Sequence, residues 1–345
     1  MAGKILVTGG MGYIGSHTVV ELQQSGYQVV ILDNLSNSEP GILDLITRVT
    51  GVQPEFVRLD MQNREGLEGF FREHHDLEGV IHFAAYKAVG ESVENPLMYY
   101  RNNVGSLVNL LDCMTGSPAA KNLVFSSSCT VYGQPDVLPV SEDAPVKPAM
   151  SPYGNTKQIS EEIIEDTCQA NGGLGAISLR YFNPIGAHES GLLGELPLGV
   201  PNNLVPFITQ TAIGKREQLT VFGKDYDTPD GTCIRDYIHV SDLARAHVVA
   251  LERLLDKQHQ KSHEIFNLGT GTGYSVLDAV NTFEQTTGVK LNWKFSDRRP
   301  GDVEKVWADT GTANQVLGWK AERGLKEMMA TAWKWEVNLN EGLMD

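Results

Sequence analysis

Basic residues are scarce in this 345-residue chain: 28 lysines and arginines stand against 43 aspartates and glutamates, a net charge of −15. That balance excludes a surface built for nucleic acid or for an anionic membrane, although a few local arginines suffice for a small anionic ligand. Cysteine is thin as well. Its four cysteines (Cys113, Cys129, Cys168, Cys233) lie too far apart for metal-ligand spacing and include no Cys-x-x-Cys. No metal centre is expected, and free thiols in a reducing cytosol fit best. No apolar run approaches the length of a membrane span, and the strand-like Ile5-Leu6-Val7 follows the start too closely to leave room for a signal peptide. A cytoplasmic protein without nucleic-acid or membrane partners is expected. There is no internal repeat and no low-complexity tract.

What is present is alternation. Short apolar runs at Lys4–Thr8, Gln28–Asp33, Glu55–Asp60, Gly79–Ala84, Asn122–Ser127, Ala176–Tyr181 and Glu264–Leu268 read as strands. Between and after them, Tyr13–Ser25, Asn95–Met114, Pro152–Ala170, Leu204–Ile213, Ser241–Leu255 and Ser275–Thr287 read as helices. Strands apolar almost throughout belong to a parallel sheet covered on both faces. The expected fold is α/β: a Rossmann-type, doubly wound parallel sheet with a smaller, interleaved C-terminal lobe. Residues 1–183 form the expected nucleotide-binding domain and 184–345 the substrate lobe, returning in part to the first domain around 235–275. From Pro184 onward glycine and proline crowd the chain, as in loops over a binding face.

The turn Thr8-Gly9-Gly10-Met11-Gly12-Tyr13-Ile14-Gly15-Ser16-His17 joins the first strand to the first helix. Its spacing, Gly9-x-x-Gly12-x-x-Gly15, permits a tight turn, close approach to a pyrophosphate and close helix–sheet packing. The helix N-terminus then offers free amides to phosphates. Asp33, ending the second strand, stands where an adenosine ribose would lie and disfavours a 2′-phosphate, so NAD is expected over NADP. By the same topology Asp60 and Met61, at the end of the third strand, flank the adenine.

Tyr153 and Lys157, four residues apart on a helix, share one face. An ammonium there favours the phenolate and is expected to lower the phenol's pKa towards the range of a general base. Ser128 follows the strand end Phe125-Ser126-Ser127 at the carboxyl edge of the sheet, where open α/β folds bind ligands.

With these residues in view, the chain resembles the extended short-chain dehydrogenases/reductases and, within them, the UDP-galactose (UDP-glucose) 4-epimerases. Beyond the glycine loop the resemblance is carried by Leu32-Asp33-Asn34-Leu35, by the run from His82 to Ser92, and by Tyr99-Tyr100-Arg101-Asn102-Asn103-Val104. It continues in Ser151-Pro152-Tyr153-Gly154, Arg180-Tyr181-Phe182-Asn183-Pro184, Pro201-Asn202-Asn203-Leu204, the run from Gly231 to Val240, and Arg298-Arg299-Pro300-Gly301-Asp302.

The resemblance implies a catalytic set of Ser128, Tyr153 and Lys157. It places Tyr13, Ile14, Asn34, Asn37, Phe83, Ala84 and Ser126 around NAD, Lys87 and Asn102 at its phosphate and nicotinamide side, and Tyr181 near its carboxamide. The UDP-sugar shell is implied to hold Phe182, Asn183, Asn203, Leu204, Phe222, Arg235, Arg299, Asp302 and Val306, with Lys87, Ser128 and Tyr153 also reaching substrate. Arg235 and Arg299 suit a diphosphate, each being able to bind it bidentately. The implied reaction is reversible C4 epimerisation of UDP-galactose and UDP-glucose through a 4-keto sugar, with NAD kept as a prosthetic group. The implied assembly is a homodimer through Asn95–Met114 and Pro152–Ala170.

Two positions refine this. Related nucleotide-sugar dehydratases carry adjacent Asp and Glu after the strand-end hydroxyl; here the run is Ser128-Cys129-Thr130-Val131-Tyr132-Gly133, with no acid. Val306 matches the family position beside the sugar's 2-substituent, and its small side chain leaves room for an N-acetyl group. The competing readings are an NAD-dependent nucleotide-sugar dehydrogenase or reductase, which would release reduced cofactor, and a non-catalytic NAD-binding sensor.

Overall fold

Residues 3–299 and 302–344 are described by a computed structural model; Pro300 and Gly301 of the arginine motif lie outside them. In chain order the elements are β1 (Lys4–Thr8), α1 (Tyr13–Gln24), β2 (Gln28–Asp33), α2 (Ile42–Thr50), β3 (Glu55–Arg58), α3 (Arg64–Glu73), β4 (Leu77–His82) and α4 (Val89–Glu94). Next come α5 (Pro96–Tyr99), a π-helical turn (Tyr100–Gly105), α6 (Ser106–Gly116), β5 (Asn122–Ser126), a 3₁₀ turn (Cys129–Tyr132), α7 (Pro152–Ala170), β6 (Gly175–Tyr181) and β7 (Asn183–Ile185). The chain ends with α8 (Leu204–Ala212), β8 (Leu219–Phe222), β9 (Ile234–His239), α9 (Val240–Leu255), β10 (His263–Leu268), β11 (Gly273–Ser275), α10 (Val276–Thr287), β12 (Trp293–Ser296), β13 (Lys305–Val306) and α11 (Leu325–Asn340).

Seven strands pair in the order β10-β6-β5-β4-β1-β2-β3, every pair parallel. Alternation along the strands explains why both faces are covered. Ile5 and Val7 of β1 and Val29 and Ile31 of β2 enter the core shared with α1, α2 and α9. Leu6, Val30 and Leu32 point the other way, into the core of α3, α6 and α7. The chain reverses its winding between β1 and β4, and the crevice beyond their carboxyl ends is where such a sheet takes ligands.

A smaller sheet of β11, β9 and β13, with β7 paired to β9, stands over that edge, and β8 pairs with β12 beside it. Local chemistry sets several ends. Ser151 caps α7 by accepting from the Gly154 amide at 3.2 Å, with Pro152 opening the helix. Ser275 and Asp278 form a capping box on α10, and Gly288 closes it in the left-handed region at φ 75°.

Two expectations change here. The single helix expected over Asn95–Met114 is instead α5, a π turn and α6, the turn resuming α-geometry as the Ser106 amide donates to the Asn102 carbonyl. The third strand stops at Arg58, so Asp60 and Met61 stand in the loop that follows it.

Candidate active site

One cavity of about 970 Å³ runs from the turn after β1 to the small sheet. At its first end the glycine loop is pressed against the segment after β4. Gly9 has φ +69°, and a Cβ on it would stand 2.7 Å from the Ala84 nitrogen. A Cβ on Gly15 would collide with the Gly9 carbonyl oxygen and sit 2.9 Å from the Gly10 Cα. Gly12 caps α1 without any side-chain bond, so the first-turn amides are left to whatever enters. Asp33 is buried and braces the loops: one oxygen accepts from the Met11 amide (3.1 Å), the other from the Leu35 amide (2.9 Å) and the Ser38 hydroxyl (3.1 Å). Asn34 donates to Asp60 at 3.1 Å. A bare cradle with an uncapped helix end and a carboxylate at the neighbouring strand end fits a dinucleotide such as NAD.

The middle of the cavity is walled by Phe83, Ala84, Lys87, Asn102, Ser126 and Tyr181. The π turn holds Asn102 there, its carboxamide oxygen accepting from Gln62 at 3.4 Å. Ser126 and Tyr181 share a hydroxyl–hydroxyl bond of 2.7 Å. Ser128, Tyr153 and Lys157 sit one layer behind this wall, each more than nine-tenths buried. Lys157 Nζ donates to the Ser126 carbonyl at 2.6 Å and lies over the Phe125 ring.

The electrostatics depart from expectation. Burial raises the Tyr153 phenol far above its usual 10, Tyr181 adds to the rise, and Ser128, within hydrogen-bonding reach, draws it part of the way back. Lys157 is not the group that tunes it: its ammonium is turned to the Ser126 carbonyl, and burial lowers it to about 8 against the support of Glu161.

Behind the trio lies a buried polar lattice. Glu161, one helical turn past Lys157, accepts from Ser127 Oγ (2.5 Å) and from Arg180 Nε (3.0 Å) and Nη2 (2.6 Å). Arg180 also donates to the Tyr132 hydroxyl (2.9 Å), which donates to Asn267 (2.7 Å). The lattice pins Ser127 between Ser126, in the wall, and Ser128, behind it.

At the far end Asn183, Asn203, Arg235, Arg299, Asp302 and Val306 line the cavity. Asp302 lies between the arginines, 2.6 Å from Arg299 Nη2 and 3.8 Å from Arg235 Nη2. Val306 of β13 pairs in register with Arg235 of β9, is 9% exposed and turns a small apolar face to the space. Phe222 ends β8 with the Arg299 guanidinium over its ring at 6.0 Å, and stands beyond the wall rather than in it. Phe182 is buried beneath the site with Val306 and Ala308, and Leu204 packs into the core of α8, α10 and α11.

Of the remaining expected residues, Gly9, Gly12, Tyr13, Ile14, Gly15, Asn37 and Met61 also line the cavity. Tyr13 donates its hydroxyl to the Gly186 carbonyl at 2.6 Å. Sequence reasoning passed over Glu195, Leu196, Pro197, Leu198 and Val200, all of them wall residues. Their one signal was the glycine- and proline-rich stretch after Pro184, which marks a loop but not its carboxylate.

Comparison with known proteins agrees with this geometry. Residues 6–332 match the family described as GDP-mannose 4,6 dehydratase. The UDP-glucose 4-epimerase of Bacillus subtilis is 51% identical over 332 residues, 96% of each chain. A crystal structure of UDP-glucose 4-epimerase from Stenotrophomonas maltophila, with bound NAD and formylated UDP-arabinopyranose, superposes with a TM-score of 0.94 at 46% identity, covering 98% of this chain and 99% of that one. The enzyme from Bifidobacterium longum, in complex with NAD+ and UDP, gives 0.93 at 43% identity over 98% and 99% of the two chains.

Proposed function

Since the chain belongs to the UDP-glucose 4-epimerase family of extended short-chain dehydrogenases/reductases, we propose that its cleft divides the work of epimerisation among the residues assembled above. The enzyme interconverts UDP-galactose and UDP-glucose by inverting C4, with NAD as cofactor. The observation that carries the division of roles is a single cleft with the glycine cradle at one end, two arginines at the other and the buried Ser128–Tyr153–Lys157 trio one layer behind the wall between them.

NAD supplies a hydride acceptor and donor at C4. Tyr153 takes the proton of the 4-hydroxyl and later returns it, with Ser128, whose hydroxyl draws the buried phenol back towards the phenolate, relaying or steadying that proton. Lys157 faces the Ser126 carbonyl and supplies positive charge beneath the site; it holds the cofactor ribose. The glycine loop and Asp33 hold the dinucleotide, and residues 1–183 form its domain. Arg235, Arg299 and Asn203 grip the UDP moiety, so affinity resides in the part that does not react and the 4-keto sugar is free to turn over. Cys129 and Thr130 stand where a dehydratase needs an acid and a base, and neither supports elimination of water. Val306 leaves space beside the sugar's 2-position, so UDP-N-acetylglucosamine and UDP-N-acetylgalactosamine are interconverted as well. Leu97 and Val108, exposed along α5 and α6, support a homodimer packed on those helices, and four free thiols suit a cytoplasmic enzyme.

The test is proton NMR of the purified protein with UDP-galactose or UDP-N-acetylgalactosamine and no added NAD. Signals of UDP-glucose in the first tube and UDP-N-acetylglucosamine in the second are expected, and Tyr153→Phe abolishes both. Silence in the first tube even with NAD supplied refutes the reading; accumulation of reduced cofactor beyond one equivalent points to a dehydrogenase instead.

A further inference from the structure

The cations and anions of the cleft are not free of one another. Asp302 is shared between Arg235 and Arg299. Lys87 is held by Glu195: its Nζ lies 3.4 Å from Glu195 Oε1, and the same oxygen accepts from Asn203 Nδ2 at 2.5 Å. The two donors come from opposite walls. Lys87 belongs to the segment after β4, beside the glycine loop, whereas Asn203 is the residue before α8.

Glu195 is the fixed member of this group. Its carbonyl accepts from the Trp335 indole at 3.0 Å, and a Cβ on the preceding Gly194 would collide with that same indole. Gly194 is further tied to Ala187 by a β-bridge. The Glu195 side chain is 12% exposed while that of Lys87 is 50% exposed, so the lysine moves and the carboxylate stays. Asn203, at a position whose side chain ordinarily caps its helix, makes no cap and is turned to Glu195 instead.

We propose that Glu195 is a positioning residue that holds Lys87 away from the diphosphate of the nucleotide sugar and so limits how tightly substrate and product bind. This rests on the cleft being the UDP-sugar site. An incoming diphosphate takes Lys87 from Glu195 and is left close to a carboxylate that cannot withdraw. Both effects weaken binding of the non-reacting end of the substrate, which keeps product release from becoming slow.

Glu195→Gln removes the charge and keeps the oxygen that accepts from Asn203. Calorimetric titration of the NAD-loaded protein with UDP is expected to show affinity rising roughly three- to tenfold, the size of one partly screened unit charge. The KM for UDP-galactose falls in parallel and kcat does not rise. A merely structural clasp predicts the opposite sign, since loosening a wall weakens a ligand. Unchanged or weaker UDP binding in a variant that retains its Tm and NAD content overturns the proposal. As a second readout, lysines carrying ¹³C-methyl labels are followed by NMR during UDP titration of the wild-type chain: the Lys87 resonance is expected to move, and one unmoved at saturation overturns the proposal whatever the variant does. Wild-type protein that fails to epimerise UDP-galactose would refute the underlying reading instead.

Discussion

Lowering the pH from 7 to 5 is expected to remove most of the stability of this protein, through histidines buried without charge. Burial lowers His17 and His82 to about 3, His239 to about 3 and His247 to about 4, against 6.5 for an exposed histidine. Nearby cations lower His82 (Lys157) and His239 (Arg323) further. The folded state therefore binds fewer protons than the unfolded chain at every pH between about 3 and 6.5. Their stability is fully present above pH 6.5 and is lost as pH falls through that window. At 1.36 kcal/mol per pH unit and proton, each histidine costs about 2 kcal/mol at pH 5, roughly 8 kcal/mol for the four. Native domains hold about 5–15 kcal/mol in all. Glu21, whose buried carboxyl is raised, opposes the trend only in part. Urea unfolding at pH 7.5, 6.5, 5.5 and 5 measures the effect, with the slope of stability against pH giving the protons taken up. Four histidines neutral in the fold and protonated on unfolding give an expected uptake of three to four protons between pH 6 and 5. An uptake below one proton would show that these histidines are charged in the native protein and refute the reasoning.

Glu161→Gln leaves the Arg180 guanidinium buried beside a neutral amide; a cost of about 3–5 kcal/mol is expected, read as a Tm lower by roughly 4–7 °C for a chain of this length. Because Glu161 supports the Lys157 ammonium, the alkaline limb of the kcat profile, expected near pH 8 from Lys157, moves lower in the same variant. Gly15→Ala forces a methyl into backbone that cannot yield; overpacking of about 1–3 kcal/mol lowers Tm by roughly 1–4 °C, and NAD content after purification drops sharply, whereas retention of both would contradict the cradle. Val306→Tyr is expected to cut N-acetyl-sugar turnover at least about a hundredfold while UDP-galactose turnover stays within about threefold; equal loss of both refutes the assignment of space to Val306.

Much of this architecture was legible because it is local. Apolar runs such as Ile5–Val7 and Val29–Leu32 declare buried parallel strands, and Ser151-Pro152 marks the start of α7 at the residue observed. The helices over 42–50 and 64–73 escaped because they are short, and in Arg64–Glu73 glycines and charges interrupt the apolar spacing. The pairing of Leu219–Phe222 with Trp293–Ser296 has no local signal, its partners lying 74 residues apart. At the site, spacing found the Tyr153–Lys157 pair and the glycine loop. It misjudged the direction of the Tyr153 shift because burial outweighs a neighbour whose charge is aimed elsewhere, and spacing carries no measure of burial. Glu195 was hidden for a related reason: a carboxylate in a loop reads as solvated until the Trp335 indole and Asn203 are seen to fix it.

The chain passes between the large sheet and the small one three times, at Tyr181 to Asn183, at His239 to Val240 and at Leu268 to Gly273. A body stitched in this way is a braid, with no single pivot about which one half swings open. Parting the two sheets would mean straining three covalent linkers at once, so the cleft between them is framed by the chain's own path as well as by packing.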